Sequence, residues 1–143
     1  MNTNVSPSFA GKVALIAGAS RGIGAVTARA FADAGAAVVL AARDAKAMDS
    51  VAKDIQSVGG RVLAVPTDVG DVSSVEQLVQ KTISAFGRLD AAFNNATDGP
   101  LPAPLADIDP ADFDRGVRTN IRGTFLGMKF QIPAMVQSGG EQS

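Results

Sequence analysis

The run Gly18-Ala19-Ser20-Arg21-Gly22-Ile23-Gly24 has the composition and spacing to hold a phosphate. Glycines leave room where a backbone must turn sharply and come close to a ligand, and a helix starting behind such a turn offers its first amides to an anion. The spacing is GxxxGxG, which is neither the GxGxxG dinucleotide fingerprint nor a P-loop ending in Gly-Lys-Ser/Thr. Composition narrows the remaining chemistry. The 143 residues contain no His, Cys, Tyr or Trp. Neither a disulfide framework nor a Cys/His metal site is therefore expected, and two common acid–base catalysts are missing. Thirteen Lys+Arg against fourteen Asp+Glu leave a net charge of -1, which argues against a nucleic-acid surface and against membrane-surface binding.

A second set of polar residues is scattered along the chain: Asp68-Val69, Asn94-Asn95-Ala96-Thr97 and Thr119-Asn120-Ile121. Apolar runs alternating with helical patterns determine where they fall. Val13–Ala17 and Ala37–Ala42 are short continuous apolar runs, as strands buried on both faces should be. Residues 61–66 and 89–93 read as the third and fourth strands. Between them lie helical stripes: Ile23, Val26, Ala30 and Ala34; then Met48, Val51, Ala52 and Ile55, capped by Asp44; then Val75, Leu78, Val79, Thr82 and Phe86. Ser73-Ser74-Val75-Glu76 has the spacing of a capping box for the third helix. After a Pro-rich loop at 97–109, Asp109-Pro110 begins a long last helix whose apolar face is Ile121, Phe125, Met128 and Ile132, with Pro133 expected to kink or shorten it.

This β-α-β-α-β-α-β-α order predicts one α/β domain, a Rossmann-like doubly wound parallel sheet of about four strands with about four helices on both faces. It would occupy residues 11–143, behind a flexible N-terminus at 1–10. The longest uncharged apolar stretch, residues 34–42, is far short of the roughly 20 needed to span a bilayer. With no basic stretch and apolar run at the start, a cytoplasmic protein is expected.

In these motifs the chain resembles the classical short-chain dehydrogenase/reductase family. Ala17-Gly18-x-x-x-Gly22-x-Gly24 matches that family's TGxxxGxG, with Ala17 in place of Thr, and Asn94-Asn95-Ala96-Thr97 matches its NNAG except at Thr97. The resemblance implies that Gly18, Ser20, Arg21, Gly22, Ile23 and Gly24 bind a dinucleotide, that Asp68 and Val69 meet its adenine, and that Asn94, Asn95 and Ala96 line the same site. It also implies that Asn120 is the Asn of the family's catalytic tetrad, holding a water in the proton relay. Hydride transfer between a nicotinamide and a small carbonyl or alcohol substrate is the implied reaction, and a homo-oligomer the implied assembly.

Charge argues for the coenzyme. A dinucleotide fold selecting NAD places Asp or Glu near the end of the second strand for the ribose 2′-OH. Here Ala42 and Arg43 stand there. An Arg can pair bidentately with a 2′-phosphate, and Arg21 is a second cation within the glycine turn, so NADP is expected over NAD. The tetrad's Ser, Tyr and Lys have no counterpart: Phe125-x-x-x-Lys129 has the Tyr-to-Lys spacing, but Phe carries no exchangeable proton. The expectation is a cofactor-binding portion ending before the catalytic Ser/Tyr/Lys region. The alternative is a non-catalytic NADP-binding fragment or regulatory module. An S-adenosylmethionine methyltransferase would share the sheet and the glycine turn, but usually needs an acid where Ala42 stands.

Overall fold

The structure, a computed structural model, describes residues 8–140. Four strands, β1 (Val13–Ala17), β2 (Ala37–Ala42), β3 (Val62–Pro66) and β4 (Ala91–Asn94), form one sheet in the order β3-β2-β1-β4. Every pair is parallel. Helices α1 (Gly22–Asp33), α2 (Ala45–Ser57) and α3 (Val72–Phe86) connect them. After β4 a 3₁₀ turn (Leu105–Asp107) leads into α4 (Pro110–Gly116), a π turn (Val117–Arg122) and α5 (Gly123–Gly140).

Side chains alternate across the central strands, and each set builds its own core. Val13, Leu15, Ala17, Val39 and Ala41 face Leu78 of α3, with Ala134 and Met135 of α5 packed on the same side. Ile16, Val38 and Leu40 face Ala25 and Ala28 of α1 and Met48, Val51 and Ile55 of α2. A sheet covered on both faces explains the uninterrupted apolar runs. The doubly wound reading holds.

Several local expectations change. The strand expected at residues 61–66 begins at Val62, and that expected at 89–93 is Ala91–Asn94. Before it, the Leu89 amide donates to Ser138 Oγ (3.0 Å) and the Asp90 amide to the Val13 carbonyl (2.9 Å). The third helix is capped not by Ser73 but by Asp71, whose carboxylate accepts from the Ser74 amide at 2.8 Å. Ser74 Oγ instead accepts from the Asp68 amide at 2.9 Å.

On α1 the expected stripe points the wrong way. Ile23 and Val26 are 69% and 65% exposed, whereas Gly24, Ala25 and Ala28 are buried, because small residues let the helix lie close to the sheet. Along the π turn and α5 the stripe is reversed too: Ile121, Phe125, Met128 and Ile132 face outward, while Leu126, Gln131 and Ser138 are buried. The helix also continues through Pro133, which sits on its exposed side, where a carbonyl freed by the missing amide can be hydrated. Residues 1–7 of the expected flexible terminus lie outside the described residues. Phe9, however, is anchored, its amide donating to the Ala34 carbonyl (2.9 Å) and its ring edge-on to Phe31 at 5.1 Å.

Candidate coenzyme cleft

A cleft of about 630 Å³ opens where the four strands end. Gly18 follows β1, Arg43 follows β2, Thr67 follows β3 and Asn95 follows β4, so the parallel sheet delivers all four to one edge. Open α/β sheets bind ligands at this edge.

The glycine turn forms its floor. Gly18 and Gly22 have φ of +77° and +57°, in the left-handed region that favours glycine. A Cβ on Gly18 would come within 2.7 Å of the Ala96 amide nitrogen, and one on Gly24 would collide with the Gly18 carbonyl oxygen. A Cβ on Gly22 would meet nothing, since that position borders the open cleft. Two glycines thus hold chain against chain, and the third lies bare beside the cavity.

Behind this turn the N-terminus of α1 is left open. Asp44, Asp71 and Asp109 each cap their helix, accepting from the amides of Ala47 (3.1 Å), Ser74 (2.8 Å) and Ala111 (2.9 Å). The N-cap of α1 is Arg21, with no side-chain cap and no acid in the first turn. Uncapped amides, a positive helix end and an adjacent guanidinium fit an anion. A dinucleotide pyrophosphate meets both conditions, since its charge suits the open helix end and its bulk suits the space beside Gly22.

Of the residues singled out in the sequence, Gly18, Ser20, Arg21, Gly22, Ile23, Arg43, Val69, Asn95 and Ala96 line the cleft. Gly24 lies beneath the turn. Asn94 is used elsewhere: its carboxamide and that of buried Gln131 exchange two hydrogen bonds, 2.9 and 2.8 Å, tying β4 to α5. Asp68 stands just behind the lining. The Arg118 guanidinium, 2.8 Å away, holds its carboxyl below the usual carboxylate range against the opposing effect of burial, and the Gly70 amide assists at 3.0 Å.

Asn120 is exposed, and its carboxamide clamps one residue of the loop after β4. Its Oδ1 accepts from the Asp98 amide (3.1 Å) and its Nδ2 donates to the Asp98 carbonyl (2.8 Å). Its neighbour Ile121, expected on the apolar face of the last helix, is 65% exposed. Asp98 is itself held below the usual range by the Arg115 guanidinium at 3.0 Å.

Sequence reasoning missed Thr67, Asp98 and Thr119, which also line the cleft. Thr119 is 5% exposed and its hydroxyl is buried without a partner. Helical threonines usually bond back to the carbonyl four residues earlier, as Thr82 does to Leu78 (2.8 Å) and Thr124 to Asn120 (2.9 Å). Thr119 lies in the π turn, where the wider winding displaces that carbonyl. Its only sequence signal was adjacency to Asn120. Among the described residues no acid cluster could hold a metal ion.

A parallel α/β sheet with a glycine turn and an open helix end at its C-terminal edge defines a Rossmann-like α/β protein. The family follows from comparison: residues 12–141 match the short chain dehydrogenase family, and the chain belongs to it. It is 40% identical over 134 residues to the short chain dehydrogenase/reductase astE of Aspergillus oryzae, covering 93% of this chain and 51% of that protein. It is 39% identical over 128 residues to an A-factor type gamma-butyrolactone 1′-reductase of Streptomyces virginiae, covering 90% of this chain and 50% of the other. A crystal structure of a metagenomic short-chain oxidoreductase in complex with NADP superposes with a TM-score of 0.85 at 35% identity, over 91% of this chain and 59% of that one. A short-chain type dehydrogenase/reductase from Mycobacterium marinum gives 0.88 at 37% identity, over 97% and 56%. The chain spans about half the length of the curated relatives it matches.

Proposed function

We propose that this chain is the coenzyme-binding portion of an NADP(H)-dependent short-chain oxidoreductase acting on a small carbonyl or alcohol. The observation carrying this reading is the uncapped N-terminus of α1 behind the glycine turn, with Arg21 and Arg43 on the same cleft. The pyrophosphate would lie on the α1 amides. Arg43, with Arg21 nearby, would pair with the 2′-phosphate, and Val69, Asn95 and Ala96 would flank the remainder. Bound there, the nicotinamide supplies a hydride donor or acceptor. Asn120 would position a water through its hold on the Asp98 loop. The NADP in one similar structure supports the choice of coenzyme.

Isothermal titration with NADPH and NADH tests the reading. A preference for NADPH of about tenfold, lost in Arg43→Ala, is expected from one charge-assisted phosphate contact. No heat with either coenzyme at millimolar concentration overturns it. A second reading is coenzyme binding without turnover. NADPH consumption by these residues above that of a Gly22→Asp control excludes it.

Self-association belongs to the same proposal. Ile121, Phe125, Met128, Ile132 and Val136 are 45–69% exposed, spaced to form one apolar stripe along the π turn and α5. Sedimentation showing a dimer that Phe125→Glu dissociates supports it; a monomer at every concentration overturns it. A cytoplasmic location is also proposed, and cell fractionation tests it. Among the described residues no helix is long and apolar enough to cross a membrane.

A further inference from the structure

We propose that Arg118 is a positioning residue that sets coenzyme preference from behind the cleft, by keeping the Asp68 carboxylate away from Arg43. The inference rests on the reading that Arg43 pairs with the 2′-phosphate.

One carboxylate stands between two guanidinium groups. Asp68 Oδ1 is 2.8 Å from Arg118 Nη1, a hydrogen bond, and 3.6 Å from Arg43 Nη2, an ion pair without one. The Gly70 amide donates to the same oxygen at 3.0 Å, and the Asp68 amide is tied to Ser74 Oγ at 2.9 Å, so the carboxylate is held on the Arg118 side. Arg118 lies flat over Gly70, where a Cβ would come within 2.7 Å of its Cγ and Nη1. The bare glycine makes room for that placement. Arg43, by contrast, lines the cleft with a half-exposed side chain, a loose ion pair to Asp68 and a longer-range charge attraction to Asp98.

A carboxylate and a phosphate compete for the same guanidinium. With Arg118 removed, the nearest cation left to Asp68 is Arg43, whose flexible stem can close 3.6 Å to a charge-assisted hydrogen bond. Arg43 would then have to leave Asp68 before meeting a phosphate, and the carboxylate would repel that phosphate at close range. NADH, which lacks the 2′-phosphate, would not notice. Residues 68 and 118 lie far apart in sequence, and the pairing arises because the π turn packs on the β3–α3 loop, where Arg122 Nε also donates to the Gly70 carbonyl at 2.8 Å.

The test is titration of NADPH and NADH against the unaltered chain, Arg118→Met, Arg118→Lys, Arg43→Ala and the pair Arg118→Met with Asp68→Asn. Methionine keeps an aliphatic stem over Gly70 and removes only the charge. Arg118→Met is expected to weaken NADPH about fivefold to tenfold while changing NADH less than about twofold, a selective loss of roughly 1 kcal/mol. Arg118→Lys should largely restore the ratio, and so should Asp68→Asn in the Arg118→Met background, because a neutral amide does not capture Arg43. A merely structural role would weaken both coenzymes together and would not be rescued by a second substitution. Equal loss for both coenzymes, or failure of Asp68→Asn to restore the ratio, overturns the proposal. If Arg43→Ala leaves the NADPH-to-NADH ratio unchanged, the underlying coenzyme reading falls with it. If Arg43→Ala lowers the ratio and Arg118→Met does not, only the role of Arg118 falls.

Discussion

The glycine turn and the π turn border the same cleft and are built by opposite means. The β1–α1 turn exists because atoms are missing: a Cβ on Gly24 would collide with the Gly18 carbonyl, and one on Gly18 would strike the chain at Ala96. The π turn exists because side chains reach across to distant loops, Arg118 to Asp68, Arg122 to Gly70 and Asn120 to Asp98. Backbone packed on backbone has no slack, so one added methyl group is felt in full. A segment held by several partly exposed hydrogen bonds loses them one at a time, each worth about 1 kcal/mol or less. The first turn is therefore rigid and intolerant. The second is adjustable and suited to tuning.

The largest effect sharpening this contrast should come from Gly24→Val. Its side chain has nowhere to go, and a loss of about 3 kcal/mol or more in chemical unfolding is expected. A folded variant within about 1 kcal/mol of the parent would break the comparison at its strongest point. Next comes the buried pair between β4 and α5. Asn94→Leu leaves the carboxamide of Gln131, 2% exposed, without its partner. A fall of about 2–3 kcal/mol in urea titrations is expected from stranding a buried polar group, with Asn94→Leu/Gln131→Leu recovering part of it.

Acidity probes a third contact. The Arg88 guanidinium, 2.6 Å from Asp90, and the Val13 amide, 2.9 Å away, hold the Asp90 carboxyl below its ordinary 3.8. A depressed folded-state value means the stabilisation is complete above about 3.8 and is lost as pH falls through the folded value. Asp90→Asn should therefore lower stability by about 1.5–2 kcal/mol at pH 7. The gap from the parent should narrow steadily below pH 3.8; a constant gap in pH-dependent melts would show that charge is not the cause. The smallest effect has the opposite sign. Thr119→Val removes a buried hydroxyl that has no partner, and a gain of about 1 kcal/mol in thermal unfolding is expected. A loss would mean the hydroxyl is satisfied in solution.

On two helices the buried face was misread, and for one reason. On α2 and α3 the large apolar residues, Met48, Val51 and Ile55 or Val75, Leu78 and Val79, are the buried ones, and periodicity finds them. On α1 large apolar residues cover the outer face while the inner face carries Ala25 and Ala28, and on α5 Phe125, Met128 and Ile132 outnumber, on the outer face, the inward Leu126 and Met135 that lie among Gly127 and Gln131. Weighting by size then selects the wrong side. The glycine turn was legible because its requirement is local, a bare backbone before a helix.

Alternating apolar runs and glycine spacing determined by themselves that this chain folds as a parallel α/β sheet with a bare glycine turn before its first helix. Both are properties of consecutive residues, and the physics of strands, turns and helix ends acts over that range. Only the tertiary structure decided that Asn94 serves Gln131, that Asn120 holds Asp98, and that Asp68 belongs to Arg118 more than to Arg43. Those partners stand 37, 22 and 50 residues apart. A polar side chain in a folded protein takes the partner that packing brings within about 3 Å, and nothing in its own stretch of sequence names that partner.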